Sequence, residues 1–214
     1  MIAHPYCVFE DDVRLVEKLI REFAVQDIGW SLDTDGMYTL DDALRMGHIL
    51  DNAGWQFFEA PLPDADLPGY RKLADMLDLD VICGGNSLPD VRLIELALEM
   101  GAWDRSRFDV TGIGGFTGAG EAAAVTSDRG KMCEVQSWGY TLTQAANLHF
   151  MLAHPNCTSF EHAVPFEKYE FGARQVIRPD ADGLVRPSEL PGLGIEMDWE
   201  KTEPYVYARR MFPT

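Results

Sequence analysis

Residues Gly29 to Glu59 read GWSLDTDGMYTLDDALRMGHILDNAGWQFFE and contain one complete strand–helix–strand unit. The pattern predicts a short strand over Gly29–Leu32, a helix capped by Thr39 that runs through Asn52, and a second strand over Trp55–Phe58. Strands joined by a helix of this length are predicted to be parallel. The stretch therefore predicts an α/β fold.

The same alternation continues on both sides of this stretch. Further helices are predicted at Glu10–Phe23, Leu67–Leu77, Pro89–Met100, Phe116–Asp128 and Leu142–Ala153. Further strands are predicted at Val81–Cys83, at a short strand end that begins at Phe108, at Met132–Val135 and at Thr158–Phe160. Beyond residue 162 the alternation weakens. Phe166–Ile177 and the tail are predicted to be a last strand plus an irregular extension.

One polar residue ends each strand, at intervals of 26, 27, 23, 27 and 25 residues. These residues are Asp33, Glu59, Asn86, Asp109, Gln136 and Glu161. Such a period favours a (β/α) TIM-type barrel, in which all six would lie on the rim that carries the chemistry. The alternative is a doubly wound open sheet. We predict a barrel domain over 1–178 and a C-terminal extension over 179–214 that packs on the barrel or on a missing capping domain.

The composition limits the class of protein. The 214 residues carry a formal net charge of −17, with no acidic tail, which argues against a nucleic acid or an anionic membrane as partner. We see no transmembrane run and no signal peptide. Cys7, Cys83, Cys133 and Cys157 are predicted to lie singly, so a reducing cytoplasmic location is expected. We also expect a homo-oligomer that acts on a small molecule.

Several motifs, in order and at matching spacings, resemble the mandelate racemase/muconate lactonizing enzyme branch of the enolase superfamily. Leu32–Ala43 resembles its second barrel strand, with the pattern D-x-N-x-x-(Y/W)-(S/T), and Phe57–Pro61 is similar to its W-(I/F)-E-(E/D)-P motif. The other matching segments are Cys83–Asn86, Asp109–Gly115, Ser137–Gly139, Phe160–Glu161 and Pro191–Asp198. The resemblance covers about residues 10 to 200.

The resemblance implies a C-terminal barrel of the enolase type and a magnesium-dependent reaction. In the family, the metal binds a substrate carboxylate, a base removes the proton on the adjacent carbon, and the metal charge stabilises the resulting enediolate. The implied function is enolisation of a hydroxy-carboxylate, a sugar acid, with dehydration as the favoured outcome. By this resemblance, Asp33 and Glu59 are the first two Mg²⁺ ligands. Asn86 is the third, unless Gly85 takes that position.

The resemblance also implies the catalytic residues. Asp109 matches the carboxylate that orients a catalytic histidine, but Gln136 stands where that histidine belongs. The lysines of the first-strand K-x-K motif are absent, and His4 is the nearby candidate base. Glu161 matches an acid that hydrogen-bonds substrate. We assign Asp35, Trp138 and Tyr140 to substrate binding.

The front of the chain departs from the family pattern. Family members carry an N-terminal capping domain that closes the active site, whereas this sequence starts at or just inside the first barrel strand. It would then be a fragment, a natural remnant, or a chain complemented by another one. Together with the missing bases, this keeps open the alternative of a catalytically impaired homologue with a structural or assembly role. A barrel glycosidase is a third and weaker alternative.

Overall fold

The computed structural model describes residues 8–23, 28–85, 90–208 and 210, and strands alternate with helices over most of this length. The helices are Phe9–Phe23 (α1), Leu40–Asn52 (α2), Leu67–Met76 (α3), Val91–Met100 (α4), Gly115–Ser127 (α5), Thr141–Ala153 (α6) and Trp199–Thr202 (α7). The strands are Ser31–Asp33 (β1), Phe57–Glu59 (β2), Asp80–Ile82 (β3), Arg105–Phe108 (β4), Met132–Val135 (β5) and Cys157–Phe160 (β6). Two 3-10 turns cover Phe166–Tyr169 and Glu203–Tyr205.

The six strands form one parallel sheet in the order in which they occur along the chain. Each strand therefore pairs with the strand before it, and the helix between them packs on the outside of the sheet. In a doubly wound open sheet, the order of the strands would instead reverse at an internal strand, so that some consecutive strands would not be neighbours. The sheet curls into half of a (β/α) barrel, and the predicted α/β barrel architecture is confirmed.

Side chains alternate along each strand between an outer face of the sheet and an inner face. Leu32, Phe58, Val81, Phe108 and Val135 are 0% exposed and belong to the main hydrophobic core with the helices. Since successive side chains in a strand point to opposite faces, the residues next to them point toward the barrel interior. The strand-end residues Asp33, Glu59, Asp109 and Gln136, which follow Leu32, Phe58, Phe108 and Val135, are thereby placed on the inner rim.

The ends of the helices follow the sequence signals. The Thr39 hydroxyl oxygen accepts a hydrogen bond from the Asp42 amide at 3.2 Å, which caps α2 as predicted. Gly101 closes α4 in the left-handed region, with φ 65°. The helix begins at Val91 with Asp90 as its cap, while Pro89, predicted as its start, lies outside the described residues.

The predicted last strand over Phe166–Ile177 is wrong. Phe166–Tyr169 form a 3-10 turn, and an isolated antiparallel bridge joins Ala173 to Met197. Local contacts hold this segment, since the Phe166 ring lies 4.5 Å from the ring of His162 and carries the Arg178 guanidinium at 5.5 Å. No helix among the described residues is long and apolar enough to cross a membrane.

Part of the C-terminal segment packs on the half-barrel. Leu193 and Ile195 contact a small apolar cluster formed by Ala145 and Leu148 of α6 and by Ile177. The boundary at residue 178 stays a prediction, as does the role of the segment that follows it.

Candidate functional site

Two carboxylates lie side by side at the rim. Asp33 at the end of β1 and Glu59 at the end of β2 are directly paired in the parallel register. The backbone after each of them adopts an uncommon left-handed conformation, with φ 51° at Asp35 and φ 44° at Ala60. The Ala60 carbonyl accepts hydrogen bonds from the Thr34 hydroxyl at 2.9 Å and the Gly36 amide at 2.7 Å. These bonds tie the two turns together and fix the spacing of the acids.

Both carboxyl groups of the Asp33–Glu59 pair have raised pKa values. Burial raises the pKa of Glu59 well above its usual range, and the neighbouring Asp33 adds to the rise while Arg107 opposes it. Burial also raises the pKa of Asp33 to about 6, against the lowering effect of the Asp35 amide, which donates to its Oδ1 at 2.9 Å. Glu59 Oε2 is buried and has no hydrogen-bond partner within the described residues. A bound cation would favour the charged form of both carboxyl groups and would give the open oxygen a partner.

Arg107 on β4 lies between two of the acids. Its Nε is 2.6 Å from Glu59 Oε1, although the N–H does not point at that oxygen, and its Nη2 donates to Glu161 Oε2. The side chain is 2% exposed, so both ion pairs are shielded from water. Arg107 thus forms an ion pair with one oxygen of Glu59, while the other oxygen has no hydrogen-bond partner among the described residues. Sequence reasoning did not identify this residue.

A second layer of charge lies one step deeper in the barrel. Arg105 donates to Asp80 at 2.6 Å and to Glu134 at 2.8 Å. Glu134 is fully buried and also accepts hydrogen bonds from the Thr158 hydroxyl at 2.6 Å and the Ser159 hydroxyl at 2.8 Å. This network links β3, β4, β5 and β6 beneath the rim.

Glu161 is held at the rim by three neighbours. Besides Arg107, the Trp138 indole N–H donates to Glu161 Oε1, and the Ser137 hydroxyl donates to its backbone carbonyl. Both carboxylate oxygens therefore already accept a hydrogen bond. Trp138 is 52% exposed, and its ring makes a T-shaped contact with the Tyr169 ring at a centroid distance of 5.5 Å.

Asp109 and Gln136 are not joined to each other. Asp109 Oδ1 accepts hydrogen bonds from the Thr111 amide and hydroxyl and from the Asn147 amide group, at 2.7 to 2.9 Å. Gln136 is buried and its side-chain amide donates to the Gly84 carbonyl. Asp109 thus stabilises the turn before α5. Gln136 connects the end of β5 to the loop after β3 through its hydrogen bond to Gly84.

The other predicted site residues are distributed more widely. Asp35 lines a cleft of about 230 Å³ with Ala60, Asp64 and Gly84; Asp33 and Glu59 are not among its lining residues. Tyr140 packs against Phe171, with ring centroids 5.8 Å apart. His4 and Asn86 lie outside the described residues. Within the described ranges, no group of three or more His, Cys, Asp or Glu side chains has the geometry of a metal site.

A sequence signal for the missed arginine exists. In a strand, the residue two positions before a rim residue points to the same face. Arg107 precedes Asp109 by two positions, and Glu134 precedes Gln136 in the same way. Charged residues at such positions would have indicated a polar barrel interior in place of a hydrophobic one.

Comparison with known proteins gives one family. The sequence matches the family described as Enolase C-terminal domain-like over residues 4–201. D-galactarolactone cycloisomerase from Agrobacterium fabrum is 26% identical over 197 residues, which cover 88% of this chain and 52% of that protein. The chain spans about half the length of the curated relatives that it matches over most of its own length.

Solved structures agree with the sequence match. A mandelate racemase/muconate lactonizing enzyme-type protein from Pseudovibrio sp. superimposes with a TM-score of 0.92 at 39% identity, covering 95% of this chain and 54% of that one. D-glucarate dehydratase from Agrobacterium tumefaciens, solved with magnesium, superimposes with a TM-score of 0.82 at 27% identity, covering 93% and 52%. The predicted resemblance is thereby confirmed.

Proposed function

Because this chain belongs to the Enolase C-terminal domain-like family, we propose that it supports magnesium-dependent enolisation of a hydroxy-carboxylate. Relatives of the chain include cycloisomerases and sugar acid dehydratases, and enolisation is the chemistry general to the superfamily. The substrate proposed here is a sugar acid, and the favoured outcome is loss of water.

The observation that carries the proposal is the Asp33–Glu59 pair. Both are hard oxygen donors, which magnesium prefers, and they are adjacent in the sheet register. Glu59 Oε2 is buried without a partner in the described residues, so it has lone pairs available for a cation. These residues fit a magnesium ion. Asp33 and Glu59 would hold it, with Asn86 proposed as the third ligand.

Bound there, magnesium would supply positive charge to a substrate carboxylate and to the negative charge that develops on it. The chain's own residues orient this site. Arg107 pairs with Glu59 Oε1, while Glu59 Oε2 has no hydrogen-bond partner among the described residues. Glu161 already accepts hydrogen bonds on both oxygens from Arg107 and Trp138, so it fits substrate orientation better than proton removal. His4 remains the proposed base.

Exchange of the proton next to the carboxylate tests this function directly. In deuterated water with magnesium, the protein is expected to introduce deuterium at that carbon of at least one acid in a panel of sugar acids, measured by proton NMR. Glu59→Gln should lower the exchange rate about a hundredfold or more, because the metal supplies several kcal/mol. Glu121→Gln, an exposed position on α5, is the matched control and should exchange as wild type does.

A second candidate is a metal-binding homologue that no longer catalyses. It is favoured by the side chain of Gln136, which occupies the position of the expected base and is committed to the Gly84 carbonyl. Magnesium binding without exchange on any acid of the panel would support this candidate and reject the enzymatic proposal.

A further inference from the structure

Two of the cysteines lie together, although all four are far apart in the sequence. Cys133 on β5 and Cys157 on β6 are register partners on neighbouring parallel strands. Their sulfur atoms are 3.1 Å apart, in thiol–thiol contact. Both thiols are free, as is the buried Cys83. A disulfide has an S–S distance of about 2.0 Å, so a shift of about 1 Å would join the two sulfurs.

We propose that Cys133 and Cys157 form an oxidative modification site, which a peroxide converts to an intramolecular disulfide. In the first step the Cys157 sulfur attacks one peroxide oxygen, the O–O bond breaks, and a sulfenic acid and water form. In the second step the Cys133 sulfur attacks the Cys157 sulfur, the S–O bond breaks, and the Cys133 proton leaves with the oxygen as a second water. The two sulfurs lose two electrons in total, and the peroxide gains them.

Access to solvent sets the order of these steps. Cys157 is partly exposed, whereas Cys133 is 0% exposed. The hydrogen bond to Cys157 and burial both raise the pKa of the Cys133 thiol. Because the thiolate is the nucleophile, Cys133 is the poorer group for meeting a peroxide in solution. Its contact with Cys157 instead suits it to be the resolving thiol.

The bond would form next to the buried network of β5 and β6. Glu134 follows Cys133 in the chain and accepts hydrogen bonds from Thr158 and Ser159, which follow Cys157. A covalent link would therefore reinforce a strand pair that is already hydrogen-bonded through side chains. Closing a segment of 24 residues removes conformational freedom from the unfolded chain and should raise Tm by about 5–10 °C.

The experiment is oxidation of the full chain with hydrogen peroxide, followed by alkylation under denaturing conditions and peptide mapping by mass spectrometry. The expected product has lost two hydrogen atoms and contains a peptide that links Cys133 to Cys157. Cys133→Ser and Cys157→Ser should each abolish the linked peptide. Cys83→Ser is the matched control, since this buried thiol contacts the Arg107 carbonyl, and it should leave the link intact.

Other results would overturn the proposal. These are full alkylation of both thiols after oxidation, a sulfinic acid on Cys157 without a link, or a link that involves another cysteine or another molecule. A Cys133–Cys157 link that lowers Tm would contradict the expected stabilisation, because the bond would then strain the β5–β6 pair. The reduced serine variants are shown to fold if their Tm and their circular dichroism spectra match those of the wild type.

Discussion

Replacement of Arg107 by methionine is expected to lower the free energy of unfolding by about 3–5 kcal/mol. The guanidinium is 2% exposed and is paired with Glu59 and Glu161, whose side chains are 3% and 9% exposed. Methionine fills a similar volume but leaves two acids in a shielded site without their cation. The measurement is the midpoint and slope of urea denaturation, followed by circular dichroism.

Arg105→Met provides the matched control for this change. Arg105 lies on the same strand and face and is also paired with two acids, but its side chain is 23% exposed and that of Asp80 is 39% exposed. Glu134 keeps its bonds from Thr158 and Ser159 when Arg105 is removed. The expected loss is about 1–2 kcal/mol. Equal losses for the two variants would contradict a special role for Arg107 at the rim.

Magnesium is expected to raise Tm, and Asp33→Asn should abolish the rise. For a Kd of about 1 mM, about 10 mM magnesium adds about 1.4 kcal/mol to the stability of the folded state. In a chain of this size the corresponding rise in Tm is about 3–6 °C. Asp33→Asn keeps the shape of the side chain but removes one of the two charges of the pair. Differential scanning fluorimetry over a magnesium series measures the effect.

Asp80→Asn is the control for the magnesium series. Asp80 is an inward carboxylate on β3, but it is engaged by Arg105 in the layer below the rim. The variant should start from a lower Tm and retain the full response to magnesium. If wild type, Asp33→Asn and Asp80→Asn respond alike, the ion acts elsewhere or not at all, and the proposed ligands are rejected.

The sequence was sufficient to predict the barrel architecture and the paired acids at its rim. Strand–helix periodicity located five of the six strands to within about two residues, because the apolar outer faces of the strands must meet the helices, whereas β4 was expected to begin at Phe108 and in fact ends there. It also identified Asp33 and Glu59 as strand-end neighbours, since consecutive parallel strands pair in order. Both results depend on local patterns, which a single sequence displays directly.

Contacts between side chains that are far apart in the chain could not be predicted from the sequence. Arg107 and Glu161 are 54 residues apart, and their contact depends on the curvature of the sheet. The family pattern placed Asp109 next to residue 136, but Asn147 and Thr111 hold Asp109 in a different network. The predicted last strand failed for a related reason, because side-chain contacts of Phe166, and not its strand propensity, decide its local conformation.

The sharing of Arg107 by Glu59 and Glu161 also has an evolutionary consequence. Each acid is stabilised by the same cation, so the cost of changing one residue depends on which of the other two is present. Single replacements leave a shielded charge without its partner, whereas a coordinated replacement of all three does not. Natural relatives should therefore inherit or lose the triplet as a block, and sequence covariation among positions 59, 107 and 161 is the expected record of that history.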